Sequence, residues 1–263
     1  MKPIGGILLL QTVSFWPVWV WYAKRLSDGS DEPWGILALL AAVSIGAVKG
    51  RWQTPPASSI QWSALLVGVY AAAYAWLPYL GRGLFCVLAL TCIASPALFG
   101  KRIQPGITGL LVLSLPLIAS LQFYGGFPIR LVTAYLSAWL LNGFGYPIEV
   151  QGTLLHWFGE VIAVDAPCAG IRMLWSGLLV NFCLAAWFDL NLLKTWIVTS
   201  FTMASVFTGN VLRATALFFI ESGILKSPAW AHQTVGVIIF LVVVTAILMI
   251  HSRMNGGYRA CAA

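Results

Sequence analysis

Long apolar runs, broken by short polar segments, recur from one end of this 263-residue chain to the other. A helix needs roughly 20 apolar residues to cross the hydrocarbon core of a bilayer. Inside it every backbone N–H and C=O must be paired within the protein. A chain of such runs is therefore confined to a bundle of membrane-crossing helices. Only 9% of the residues are charged, against about 25% in soluble domains. That shortfall excludes an ordinary cytosolic enzyme, a disordered tail and a disulfide-rich secreted module. The formal charge of +7 raises nucleic acid as a partner, but no stretch combines clustered Lys and Arg with solvated aromatics. The five cysteines form no CxxC pair, so neither a zinc site nor a disulfide framework is expected.

Eight stretches read as spans. The first, Ile4 to Ala23, stops at Lys24-Arg25. Lys2 in front of it also fits a signal peptide, but its length and tryptophans favour a retained span. The others are Trp34 to Val48, the shortest, then Trp62 to Leu80, Gly83 to Phe99 and Pro105 to about Phe123, followed by Cys168 to Phe188, Thr195 to Leu212 or beyond, and Gln233 to Ile250. Tyr124 to Pro167 contains no clean span. Leu131 to Leu141 is about half the required length and reads as a helix at the surface or tucked among the others. Gly143 to Pro147 is turn-rich. Residues 148–165, with Glu149, Glu160 and Asp165 among Val and Ile, read as a small extramembrane hairpin. The expectation is an all-α integral membrane protein of about eight transmembrane helices, with a small extracytoplasmic segment before the sixth. Its regions are five spans over 1–123, an interfacial segment over 124–167 and a three-span catalytic region over 168–263.

Charge placement tests this topology. With both termini in the cytoplasm, Lys2, Lys49, Arg51, Lys101, Arg102, Lys194, Arg253 and Arg259 fall inside, against Asp189 alone. The seven basic residues outside (Lys24, Arg25, Arg82, Arg130, Arg172, Arg213 and Lys226) meet seven acids, Asp28, Asp31, Glu32, Glu149, Glu160, Asp165 and Glu221. The net positive charge thus falls on the cytoplasmic side, as the positive-inside rule requires.

Polar groups at the ends of spans are costly and are functional candidates. Counting from Asp189, Thr195 and His251 as inner boundaries, Cys168, Arg213 and His232 lie about 31, 27 and 28 Å along their helices, at the same outer face. Those residue types permit nucleophilic chemistry: a thiolate attacks a carbonyl and a histidine takes and returns the proton. Cys168 opens the sixth helix after Pro167, where the helix N-terminus and Arg172 one turn on favour the thiolate. Arg213 can steady an oxyanion or hold a carboxylate. Plainer readings stay open for each: Cys168 as a small buried residue, Arg213 as a snorkelling anchor, His232 as an interfacial cap. His156 is a rival base. His251 reads as an inner interface residue, Cys86, Cys92 and Cys183 as packing, and Cys261 as part of the tail.

Three segments in order carry a resemblance. Asp165-Ala-Pro-Cys-Ala-Gly-Ile-Arg-Met-Leu174 resembles the nucleophile motif of the exosortase/archaeosortase family, Gly209-Asn-Val-Leu-Arg213 its Asn-x-x-Arg motif, and His232-Gln-Thr-Val-Gly-Val-Ile-Ile-Phe240 its third motif. Pro128-Ile-Arg130 and the stretch from Gly145 to Gly152 resemble the family's lead-in, whereas the first 120 residues match only as generic spans. Ala169 stands where the family more commonly has Ser. The resemblance implies a membrane-embedded cysteine protease/transpeptidase with Cys168 as nucleophile, Arg213 as the essential arginine and His232 as third member. It also implies the bacterial branch and exported substrates whose C-terminal tail carries a PEP-CTERM-like motif, a hydrophobic span and a basic end. The expected location is the bacterial inner membrane, with the site on the periplasmic face. Arg172, Asn210 and Asp165 are supporting candidates, and neither a metal nor an organic cofactor is expected. The rivals are a transporter, disfavoured because no pair of interrupted spans in matching halves and no mid-membrane polar residues are evident, a non-catalytic partner in export or exopolysaccharide assembly, and a lipid acyltransferase using the same cysteine.

Overall fold

The structure, a computed structural model, describes residues 3–27, 34–164, 169–228 and 230–256. In chain order these form α1 (Pro3–Ser14), α2 (Trp16–Ser27), α3 (Trp34–Lys49), α4 (Ala57–Ala73), α5 (Tyr79–Phe99), α6 (Pro105–Leu113) and α7 (Ile118–Gly143). Strands β1 (Glu149–Gln151), β2 (Leu154–Trp157) and β3 (Glu160–Ala163) follow, then α8 (Ile171–Trp187), α9 (Leu192–Glu221) and α10 (Ala231–Gly256). The fold is mostly helical. Among the described residues α5, α9 and α10 are long and apolar enough to cross a bilayer, and the number reaches five if α1 with α2, and α6 with α7, are each one interrupted span. The protein is thus multi-pass with three to five candidate spans, where the sequence reading counted eight. Helices α3, α4 and α8 are apolar but have only 16, 17 and 17 residues.

Two of the differences have one cause. The expected first span breaks at Phe15, and its halves bend by 70°. The expected fifth span, Pro105 to Phe123, breaks between Leu113 and Ile118, and α7 then runs unbroken through residues 123 and 124 to Gly143. Pro17 and Pro116 lie at these breaks. A proline ring clashes with the carbonyl four residues earlier and supplies no N–H. The residues before it are turned away from helical geometry as well. Two of the expected runs are thus broken rather than continuous helices, and in the first unit Gln11 Nε2 donates to Ser63 Oγ at 2.6 Å in a buried contact.

The chain divides into two compact units. The first is Met1–Leu117 with Asn181–Trp196. Its core includes Phe15, Val18, Tyr70, Cys86 and Ala89, with the Phe15 and Tyr70 rings 4.7 Å apart. Cys86 is packing, as expected. At one end Lys101 Nζ meets Asp189 Oδ2 at 2.7 Å, and Lys49 donates to the Trp187 carbonyl while lying over its ring.

The second unit, Ile118–Val180 with Ile197–Ala263, holds the sheet. The expected hairpin is a three-stranded antiparallel sheet of order β1-β2-β3. Register pairs Gln151 with Leu154 and Trp157 with Glu160, so both connections are two-residue turns. Phe158 and Gly159 take φ of 45° and 88° in the second, the positive pair that matches the twist of a hairpin. Asn142, near the end of α7, clamps the entry to β1 by exchanging two hydrogen bonds with the Ile148 backbone at 2.9 and 3.1 Å. Alternation along β2 and β3 aims Leu155, Trp157 and Ile162 at α7 and α9, where they bury Ala134, Ala138, Leu141 and Phe218. Tyr146, Trp157, Phe218 and Phe219 pack edge to face, at centroid distances such as 5.2 Å for Tyr146–Phe219. This roof gives the last turns of α9 an apolar partner, so the helix runs to Glu221 rather than stopping near Leu212.

Candidate active site

The three motif segments meet in the second unit. The first enters α8. Cys168 and Asp165 lie outside the described residues, and α8 starts at Ile171, three positions later than expected for the sixth span. Ahead of it Ala169 is buried, and Gly170 has φ +70°. A Cβ at residue 170 would fall 2.7 Å from the Asn210 carboxamide. Glycine is thus needed twice over, for the left-handed backbone and for the close approach. Arg172 is exposed in the first turn of α8.

Asn210 is the seat on which this entry rests. It is buried on α9, and its Nδ2 donates to Thr133 Oγ1 of α7 at 3.3 Å. One residue on, the Val211 carbonyl accepts from Ser137 Oγ at 3.3 Å. Thr133 and Ser137 are fully buried. Two hydroxyls of α7 therefore hold the register of α9 at the level of Gly170, a role for α7 that sequence reading missed. Gly170→Ala should lower the melting temperature of the purified protein by roughly 3–8 °C, because a left-handed alanine costs about 1–2 kcal/mol and the Asn210 amide must also shift. Gly170→Ala with Asn210→Ala should recover the part due to the clash. Equal melting of wild type and Gly170→Ala would remove Asn210 as the seat.

The second and third segments meet where α9 faces α10. A Cβ at Gly236 would come 3.2 Å from Arg213 Nε, so the guanidinium lies against the bare backbone of α10 one turn beyond His232. Gly209, one residue before Asn210, approaches both neighbours: a Cβ there would fall 2.7 Å from Val243 Cγ2 on α10 and 2.9 Å from Met173 Cε on α8. At the mouth, His232 Nε2 lies 3.3 Å from Glu221 Oε1, both side chains being half-exposed. A carboxylate only accepts, so this contact puts the proton on Nε2 and leaves Nδ1 as the ring's basic atom. The sequence reading counted Glu221 among the outer acids but gave it no role at the site.

The other candidates fall elsewhere. His156 is on β2 opposite Glu149, and by alternation it points away from the core face that carries Leu155 and Trp157. His251 is fully buried, with Nδ1 3.0 Å from the Ile247 carbonyl oxygen. Among the described residues no group of three or more His, Cys, Asp or Glu is placed to hold a metal ion. Beside the site an apolar cleft of about 380 Å³ runs from Ala169, Gly170 and Asn210 past Leu174 and Phe207 to Met203.

The comparisons with known proteins agree with the motifs. The family model described as transmembrane exosortase matches residues 4–249, nearly the whole chain. No curated protein and no solved structure matches it.

Proposed function

Because the chain belongs to the transmembrane exosortase family, we propose that it is a cysteine peptidase/transpeptidase acting on the C-terminal sorting tails of exported proteins. The reading is supported above all by two close approaches between segments that are separate in sequence, Gly170 on Asn210 and Arg213 on Gly236.

In this mechanism Nδ1 of His232 takes the thiol proton of Cys168 and Glu221 holds Nε2–H, so the imidazolium that forms is paired. The Cys168 thiolate adds to the carbonyl carbon of the scissile peptide, and the electron pair moves to the carbonyl oxygen. Arg213 donates to that oxyanion from a position enclosed by α9 and α10, where a charge-assisted hydrogen bond is worth more than in water. Collapse expels the amine of the tail, which takes the proton from His232 and leaves a thioester on Cys168. An acceptor amine or water then attacks the thioester, giving transpeptidation or hydrolysis. The apolar cleft beside Gly170 suits the tail's hydrophobic span, and Arg172 and Asp165 flank the nucleophile segment. The inner-membrane location and the periplasmic side of the site belong to this same reading.

The test is a reporter protein bearing such a tail, co-expressed with the full chain and weighed by intact-mass spectrometry. A product truncated at the tail motif, or joined there to an acceptor, is expected. A full-length reporter for every tail in a panel of motif, span and basic-end combinations would overturn the reading. A positioning role for Glu221 predicts that Glu221→Gln lowers kcat about tenfold with KM unchanged, below the full 10²–10⁴ of general-base catalysis because the pair is half-exposed. Glu221→Asp should restore part of the rate. A rise in KM alone would assign Glu221 to substrate binding instead.

A further inference from the structure

We infer that the first unit carries a binding site for an anionic glycerophospholipid between α4 and α5, independent of the proposed catalytic chemistry. Two clefts adjoin there and share Ser58, Ser59 and Arg102. One, of about 500 Å³, is polar and basic, lined by Gln53, Thr54, Lys101 and Arg102. The other, of about 230 Å³, is apolar and bounded by Trp62, Leu66, Cys92 and Ile103. A polar chamber opening into an apolar slot matches one class of molecule, in which a phosphodiester headgroup is joined to an acyl chain.

The charge balance favours an anion. Asp189 is the one acid among the described residues of this unit, and its carboxylate is taken by Lys101 at 2.7 Å and by the Gln104 amide at 3.4 Å. Arg102 is exposed, and no carboxylate partners it among the described residues. The entry of α4 adds to the field. Pro56 caps it without a side-chain hydrogen bond, so the first amides of the helix face the polar chamber with the positive end of the helix dipole. Ser59 is only 7% exposed and lines both clefts. It lies where a headgroup oxygen would meet the first carbons of the chain. Below it, Trp62 and Ile103 are half exposed to the surroundings of the bundle, a lateral opening through which a lipid enters without leaving the bilayer. Basic pockets between membrane helices hold anionic headgroups by this combination of charge and adjoining apolar surface.

The test uses the full chain purified in detergent and native mass spectrometry against an equimolar mixture of phosphatidylglycerol and phosphatidylethanolamine. Wild type should retain phosphatidylglycerol at least about fivefold over phosphatidylethanolamine, equivalent to about 1 kcal/mol for one cation near a headgroup. Arg102→Gln should bring that ratio close to one, and Ile103→Asn should weaken retention of both lipids. Arg51→Gln, which removes an exposed cation outside the clefts, should leave the ratio as in wild type. Glycerol phosphate, which has the headgroup without the chain, should not displace the lipid. Equal lipid ratios in wild type and Arg102→Gln would overturn the inference. Full displacement by glycerol phosphate would overturn it too, in favour of a simple phosphate site.

Discussion

Replacing Cys168 by alanine should abolish tail processing, a loss on the order of 10⁴-fold or more, while the amount of protein in the membrane stays that of wild type. The size follows from covalent catalysis. Without the nucleophile only binding and oxyanion stabilisation remain, and residues that act as a unit lose nearly everything when one is removed. Cys168→Ser should lose almost as much, since a hydroxyl needs a far stronger base than a thiol. Cys86→Ala, Cys92→Ala and Cys183→Ala should process the reporter as wild type does, these residues lying outside the three motif segments. Intact-mass measurement of the reporter decides it. Persistent truncation with Cys168→Ala would eliminate this nucleophile and turn attention to a non-catalytic role.

The second large effect should come from Arg213. Arg213→Ala should lower kcat about 10²–10³-fold, the usual result of deleting an oxyanion donor, and should change KM little, because the interaction develops only as the carbonyl oxygen becomes charged. Arg213→Lys should not restore the rate. The guanidinium lies flat against Gly236, where a Cβ would already stand 3.2 Å from Nε. A lysine offers a point charge on a flexible stem in place of a planar fork with fixed donors. If Arg213→Ala instead raised KM with kcat preserved, the arginine would hold a substrate carboxylate and the oxyanion donor would have to be sought elsewhere.

The chemistry of the site was easier to read than its architecture. Cys, Arg and His at the ends of apolar runs stand out because charge and nucleophilicity are rare there, and the short motifs around them carry the family resemblance that the match over residues 4–249 bears out. Span boundaries were harder. Hydropathy counts Trp16-Pro17-Val18 and Leu115-Pro116-Leu117 as continuous apolar sequence, whereas a proline interrupts the hydrogen-bond ladder. The pairing of Glu221, counted only as an outer acid, was hidden for a different reason. The rule that a span is about 20 residues long leaves the end of α9 open at Leu212 or beyond, whereas Phe218 and Phe219 find a second apolar partner in the sheet and the helix runs to 30 residues. Thr133 and Ser137 looked like ordinary members of a short helix. Only the packing of α7 on α9 shows that they fix the register of Asn210.

The sheet over the end of α9 also bears on how the chain is made. Its three strands pair only with their neighbours, so the ladder can close as soon as residue 163 has been synthesised. The apolar face formed by Leu155 and Ile162 then has α7 to pack on but not α9, since Phe218 follows only after α8 and most of α9. Until α9 has entered the bilayer, the nascent protein displays a sticky, half-built surface. A chain stalled or truncated before Phe218 would keep that surface and become a ready target for quality-control proteolysis. Completion of α9 is thus the step at which a newly made molecule covers the sheet and gains its protection from degradation.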